Sequence, residues 1–172
     1  MTRYIVLLRG INVSGKNKLP MQDLRELLSE LGYENVQTYI QSGNIILDSE
    51  KEKLVLEKEI KVGIKSKFGY DVPVIARTVK SIEKAIQGNP YPVDNEKVVA
   101  VIFLSKVATK TDVEINRAEE DQFTILEDVV YIYCPNGFGR SKLTINVFEK
   151  KLNVSATSRN WRTTKKLLEL AQ

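Results

Sequence analysis

The sequence predicts an α+β protein made of two tandem ferredoxin-like (α/β-plait) subdomains, βαββαβ followed by βαββαα. Three observations carry that prediction. Two wholly apolar runs, Tyr4 to Leu8 and Val98 to Leu104, read as strands covered on both faces. Each is followed by a polar stretch, a helical segment and a pair of short strands, so the order of elements nearly repeats. Between the two copies lies Asn89-Pro90-Tyr91-Pro92, the strongest internal break. The expected subdomains are therefore residues 1–88 and 89–172, the second ending in helices.

After Tyr4–Leu8 comes a Gly/Asn/Lys stretch, Asn12 to Lys18. Pro20 suits a first helical position, and Met21, Leu24, Leu27, Leu28 and Leu31 recur at helical spacing up to Gly32. Val36–Ile40 and Ile45–Leu47 read as strands joined across Gln41-Ser42-Gly43-Asn44. Leu54–Phe68 is a Lys/Glu-rich helix closed by Gly69, Val72–Ala76 a strand and Ser81–Ile86 a short helix. In the second half, Thr111–Glu120 is expected to be helical, and Phe123–Leu126 with Val129–Cys134 to form a hairpin around Glu127-Asp128. A helix is expected from about Ser141 to Leu152 and a final one from near Asn160. On this reading the second half lacks the last strand of the first. In a ferredoxin-like unit the loop after strand one and the hairpin between strands two and three lie at the same end of the sheet. Arg9–Lys18 should thus face Gln41–Asn44.

Composition narrows the chemistry. The chain has 172 residues, 42% hydrophobic and 28% charged, a globular balance. No apolar run reaches the roughly 18 residues needed to span a bilayer, and the start carries no signal-peptide pattern. With a single cysteine, Cys134, an internal disulfide is excluded, and a cytoplasmic location without membrane association is expected. Histidine is absent, which removes Ser-His-Asp and Cys-His nucleophiles and His-containing zinc sites. No DxD-type cluster is present either, and neither a metal nor a cofactor is expected. The net charge of +4 is uneven: residues 1–22 carry +4, residues 137–172 carry +6, and the middle carries −6. Two basic ends favour an anionic partner.

Gly10-Ile-Asn-Val-Ser-Gly15-Lys16-Asn17 has the Walker A spacing, but Asn17 stands where Ser or Thr should hold Mg²⁺. Pro20 also delays the helix, and a ferredoxin-like order conflicts with the parallel sheet of a P-loop enzyme. What survives is an anion site of backbone N–H groups with Arg9, Asn12, Lys16 and Asn17. Gln41 and Ser42 are candidates for a second wall, since turn geometry explains only Gly43 and Asn44. Gly137-Phe-Gly-Arg140-Ser-Lys142 is partly like an RNA-recognition strand motif, yet it precedes a helix, so only Arg140 and Lys142 remain as anion contacts. In Thr157-Ser-Arg159-Asn160-Trp161-Arg162, Ser158 or Asn160 suits an N-cap. Arg159 and Arg162 beside the lone tryptophan suit anion contact and stacking.

Together these segments resemble a bacterial family catalogued as domain of unknown function 1697. The resemblance covers essentially the whole chain. It rests on Leu7-Leu-Arg-Gly-Ile-Asn-Val-Ser-Gly-Lys-Asn17, Met21-Gln-Asp-Leu-Arg25, Thr38-Tyr-Ile-Gln-Ser-Gly-Asn44, Ser141-Lys-Leu143 and Ala156-Thr-Ser-Arg-Asn-Trp161. It implies two α/β-plait subdomains and no particular activity. Where relatives often carry a second glycine before Gly-Lys-Asn, this chain has Ser14, which counts against a backbone cradle.

The functional expectation is a binding protein for a nucleotide, nucleic acid or phosphorylated metabolite. Arg9, Asn12, Lys16 and Asn17 form one wall, Gln41 and Ser42 another, and Arg140, Lys142, Arg159, Asn160 and Trp161 complete it if the second half folds back onto the first. The first alternative is a histidine-independent enzyme on a similar substrate, but no acid lies in the converging loops to serve as its base. The second is a protein-interaction module anchored by Trp161 and Phe138.

Overall fold

The computed structural model describes the whole chain, residues 1–172. The fold is mixed α+β, with two four-stranded antiparallel sheets and five α-helices. It divides into two compact units, Met1–Ile82 with Leu167–Gln172, and Glu83–Lys166. No helix is long and apolar enough to cross a membrane.

The first unit contains β1 (Thr2–Leu8), α1 (Met21–Glu30), β2 (Glu34–Tyr39), β3 (Asn44–Ser49), α2 (Lys53–Phe68) and β4 (Val74–Thr78), with α3 (Val79–Gln87) following. Its sheet runs β2-β3-β1-β4, so β1 and β2 are parallel with β3 between them. The apolar run of β1 makes a central strand. Tyr4, Val6 and Leu8 join the core formed with Leu24 and Leu28 of α1 and Leu56, Ile60 and Ile64 of α2, while Ile5 and Leu7 are buried on the other face. Helix α1 begins after Pro20, whose fixed φ and missing N–H cost nothing there. Helix α2 buries a stripe at i, i+4, i+8 and ends on Gly69 in the left-handed conformation, with φ 78°. Each such leucine or isoleucine contributes about 2 kcal/mol on burial. The outer N–H of edge strand β4 at Ala76 donates to Glu57 Oε1 at 2.8 Å, which shields an otherwise open edge.

The second unit contains a 3₁₀ turn at Glu96–Val98, then β5 (Val99–Leu104), β6 (Gln122–Leu126), β7 (Val129–Tyr133), α4 (Ile145–Leu152) and β8 (Ala156–Asn160), leading into α5 (Trp161–Ala171). Its sheet runs β6-β7-β5-β8, again antiparallel throughout. The two registers superimpose. Ile5 of β1 pairs with Arg77 of β4, and Val101 of β5 pairs with Arg159 of β8.

Three sequence expectations are corrected. Thr111–Glu120 is irregular instead of helical. Its β-branched residues Thr111, Val113 and Ile115 lower helix propensity, and Glu119 and Glu120, followed by Asp121, crowd the end where a helix dipole disfavours acids. Arg117 satisfies the open backbone instead, donating from Nε to Asp121 O at 2.9 Å and from Nη1 to Ile115 O at 3.1 Å. The last strand, expected to be missing, is present as β8, so the second half runs βββαβα and not βαββαα. Its polar composition hid it, because a central neighbour, β5, supplies the ladder that propensity does not. Helix α4 starts at Ile145 instead of near Ser141. Ser141 Oγ accepts from Leu143 N–H to form a turn, and Thr144 then caps the helix through Val147 N–H.

Candidate functional site

The two polar segments of the first unit meet as the order of elements requires. Leu8 N–H donates to Gly43 O at 2.8 Å where β1 ends. Asn12 then acts as a clasp. Its Nδ2 donates to Leu19 O at 2.9 Å and to Gln41 O at 2.7 Å, and its Oδ1 accepts from Leu19 N–H at 2.8 Å.

Between Asn12 and Leu19 the chain forms a miniature hairpin and not a phosphate cradle. Asn12 N–H reaches Asn17 O at 3.1 Å, and Lys16 N–H reaches Val13 O at 2.9 Å. Ser14 and Gly15, at φ 50° and 73°, are the two central residues of the turn, the positive-φ pair of a type I′ hairpin. Asn17 Nδ2 donates back to Gly10 O at 2.8 Å, and Tyr70 donates to Lys18 O at 2.7 Å. Glycine is the unstrained residue at such a φ, so Ser14 holds the turn at a conformational cost.

This geometry sorts the predicted residues. Asn12 and Asn17 spend their side chains on the loop itself. Ile11 and Leu19 are buried beneath it, and Gly43 has no room for a side chain, since a Cβ there would lie 2.7 Å from Leu8 Cβ and 2.9 Å from Ile11 Cδ1. Lys16, Lys18 and Gln41 face solvent from this base, whereas Arg9 and Ser42 are half-buried. Burial lowers the Arg9 guanidinium from its usual value. Val13 and Ile40 are 54% and 48% exposed, an apolar pair among these polar groups. Ile40 also adopts φ 50°, a genuine outlier for a β-branched residue.

The second-unit candidates fall differently. Arg140 and Lys142 are exposed. Arg159 is buried in β8, donating to Thr157 Oγ1 and Ser158 O at 2.8 Å, and burial lowers it to about 10, which leaves it charged at neutral pH. Arg77 of β4 is its counterpart, also buried, donating to Ala76 O. Asn160 caps α5 by accepting from Thr163 N–H at 2.8 Å. Trp161 is buried and Phe138 half-buried against the core, which withdraws the two exposed anchors on which the interaction-module reading rested.

Sequence reasoning missed two clusters. Ser141 Oγ donates to Asp121 Oδ2 at 2.8 Å, and Cys134 Sγ donates to Ser141 Oγ at 3.3 Å. Asp121 is buried among loops, so this is an acid beside a hydroxyl. A hydroxyl has one proton and two lone pairs. Ser141 donates to Asp121 and accepts from Leu143 N–H and Cys134 S–H, so no lone pair is left for nucleophilic attack. Burial pushes the Cys134 thiol up, away from thiolate chemistry. The other cluster joins Tyr33, Lys51 and Glu59. The Tyr33 hydroxyl and Lys51 Nζ both donate to Glu59 Oε2, with Lys51 4.9 Å from the Tyr33 ring centroid. Burial raises Tyr33, and the hydrogen bond to Glu59 adds to it, the opposite of an activated phenolate. Neither cluster carries a sequence spacing that would reveal it. No group of three His, Cys, Asp or Glu side chains could hold a metal ion.

No curated protein matches the chain. Among solved structures, a conserved bacterial protein of Streptococcus pneumoniae superimposes with a TM-score of 0.69 at 24% identity, covering 99% of both chains, which establishes a shared fold. The model of the family described as protein of unknown function (DUF1697) matches residues 1–131, and the chain belongs to that family.

Proposed function

We propose that this protein binds an anionic ligand, the phosphate of a nucleotide, nucleic acid or phosphorylated metabolite, at the loop end of the first unit. The clasp made by Asn12 carries the reading. One side chain locks the Gly10–Leu19 hairpin to the Ile40–Gly43 turn and leaves Lys16, Lys18 and Gln41 facing solvent on a rigid base. Residues 1–22 hold four cations and no acid, so a phosphate meets no competing carboxylate from that segment. Rigid presentation reduces the ordering cost of binding. The first unit is a ferredoxin-like module in this reading, and the second is the same plan with its first helix replaced by an irregular segment; the common strand order and register support this. The lone thiol fits action in the cytoplasm.

A thermal-shift screen with nucleotides, sugar phosphates and short oligonucleotides, at two salt concentrations, tests it. A ligand at 100 times its Kd stabilises by about 2.7 kcal/mol. The Lys16→Glu/Lys18→Glu variant should abolish the shift, and for a single-stranded oligonucleotide should reduce the log–log salt slope by roughly 1.4. Equal shifts for the variant and the parent would sink the proposal.

A further inference from the structure

We propose that the second unit holds a separate site, a groove between α4 and the irregular segment after β5, for a small organic anion with an apolar body. The groove is open on one side and has a volume of about 550 Å³, within the range of roughly 300–1,000 Å³ typical of small-molecule sites. One wall is α4 with its N-cap, where Thr144, Val147 and Lys151 recur at i, i+3 and i+7 and so share a face. Lys142 stands just before that helix. Ile115 and Glu114 belong to the facing wall. Ile115 and Val147 make an apolar floor, and the two lysines stand at either end of it. Seven residues of helix separate Thr144 from Lys151, roughly 10 Å along the axis.

That arrangement selects its ligand. An apolar molecule without charge leaves both ammonium groups unanswered, and a bare inorganic anion leaves the Ile115–Val147 floor uncovered. One anionic group on an apolar body satisfies both, while Glu114 disfavours a second anion against the facing wall. The groove is preformed. The Asp121–Ser141 hydrogen bond ties the irregular segment to the loop before α4, and Arg117 holds the segment in shape through Ile115 O and Asp121 O while lying 4.9 Å from the Phe123 ring centroid. A preformed site avoids the ordering cost that an irregular wall would otherwise impose.

Amide chemical-shift titration of the full chain tests this with four probes: octanoate, octyl phosphate, 1-octanol and acetate. Octanoate or octyl phosphate should shift Ile115, Lys142 and Val147 saturably, and comparison of the two identifies the preferred head group. Octanol, which lacks the charge, and acetate, which lacks the apolar body, should bind at least tenfold more weakly. Lys142→Glu should weaken the amphiphile tenfold or more; Lys142 is exposed, and an unchanged amide spectrum away from the groove confirms that the variant folds. The proposal is overturned if neither amphiphile shifts these amides, if octanol binds as tightly, or if Lys142→Glu leaves the affinity unchanged.

Discussion

In both units the first strand ends by donating an N–H to the neighbouring hairpin, Leu8 to Gly43 O at 2.8 Å and Leu104 to Asp128 O at 2.9 Å. Four residues later a second bond reaches the same hairpin, and here the units part. In the second unit it is the Ala108 backbone N–H that donates to Glu127 O. In the first it is Asn12 Nδ2 that reaches Gln41 O, while the same nitrogen donates to Leu19 O and Oδ1 accepts from Leu19 N–H. The side-chain version folds the connection back on itself and delivers Pro20 to the start of α1. With the backbone version the segment runs on unpaired to β6, held by Arg117, and leaves a groove. The closed, cation-bearing loop thus goes with a side-chain clasp at Asn12, and the open-sided cleft with a backbone bond at Ala108. The remainder of the plan is common to both, including the buried arginines Arg77 and Arg159 and the helix glutamates Glu57 and Glu149 that accept N–H groups from β4 and β8.

The sharpest way to break the comparison is at the hairpin tips. Gly43→Ala places a methyl 2.7 Å from Leu8 Cβ at φ 82°. Left-handed strain of about 1–2 kcal/mol adds to overpacking of similar size, so urea denaturation should show a loss of about 3 kcal/mol. The corresponding Asp128→Ala should cost less than about 0.5 kcal/mol. Equal losses would mean that the tips are not set apart by close approach.

Next come the two clasps. Asn12→Ala removes three hydrogen bonds and strands two carbonyls and an N–H, a cost of about 2 kcal/mol, with faster amide exchange at Leu19 and Asn17. It should also abolish any phosphate-ligand shift while leaving the Val147 groove intact. Ser141→Ala leaves the buried Asp121 carboxylate short of a donor, again about 2 kcal/mol, and should loosen Ile115 without touching the first-unit loop. Melting curves and exchange maps of the two variants should not overlap.

The first unit was legible in the sequence because its pattern is uninterrupted. Helical spacing from Met21 to Leu31, Pro20 before it and Gly32 after it leave one reading, and that order of elements placed the Gly/Asn loop against Gln41–Asn44 before any coordinate. The second unit was half legible. Its hairpin and α4 were recognisable, but β8 is a polar pentapeptide that becomes a strand only because β5 offers a partner. Segment 111–120 has the polar, charged look of an exposed helix, but its β-branched residues and its acidic end disfavour one. Within the candidate site, the cations and Gln41 could be chosen from the sequence. That Asn12 and Asn17 serve the loop instead of a ligand could not, because an asparagine clasp and an asparagine ligand look alike until carbonyl distances are known. Arg159 misled for a similar reason, since a buried strand arginine and a surface one share the same letters.

Acid should distinguish the units less strongly. Arg3 and Asp48 pair across β1 and β3 at 2.8 Å, and the hydrogen bond from Arg3 holds the Asp48 carboxyl down at about 2. The second unit has Val99 opposite Tyr133 at the matching register. Because the folded value lies below the ordinary carboxylate value, this stabilisation is complete above about pH 4 and is lost as pH falls through about 2. The pair is partly exposed, so after screening it is worth about 1 kcal/mol. Asp48→Asn should remove that share of the acid sensitivity between pH 4 and 2, with first-unit amides responding and β5–β7 amides not. An unchanged acid transition would show that the pair contributes nothing.

The smallest effect concerns Ile40, where the comparison can be reversed. At φ 50° a β-branched side chain pays a left-handed penalty of about 1–2 kcal/mol, yet at 48% exposure it recovers little by packing. The opposing hairpin holds Glu127 at φ 55°, an unbranched residue for which the same conformation is less strained. Asparagine tolerates this region through local hydrogen bonding, so Ile40→Asn should raise stability by about 0.5 kcal/mol, whereas Glu127→Asn should change it by less. Strain kept at an exposed position next to Gln41 is what a contact surface would retain. Ile40→Asn should therefore stabilise the fold and weaken the phosphate ligand together. A variant more stable in denaturant and undiminished in binding would remove Ile40 from the site while leaving the lysines in it.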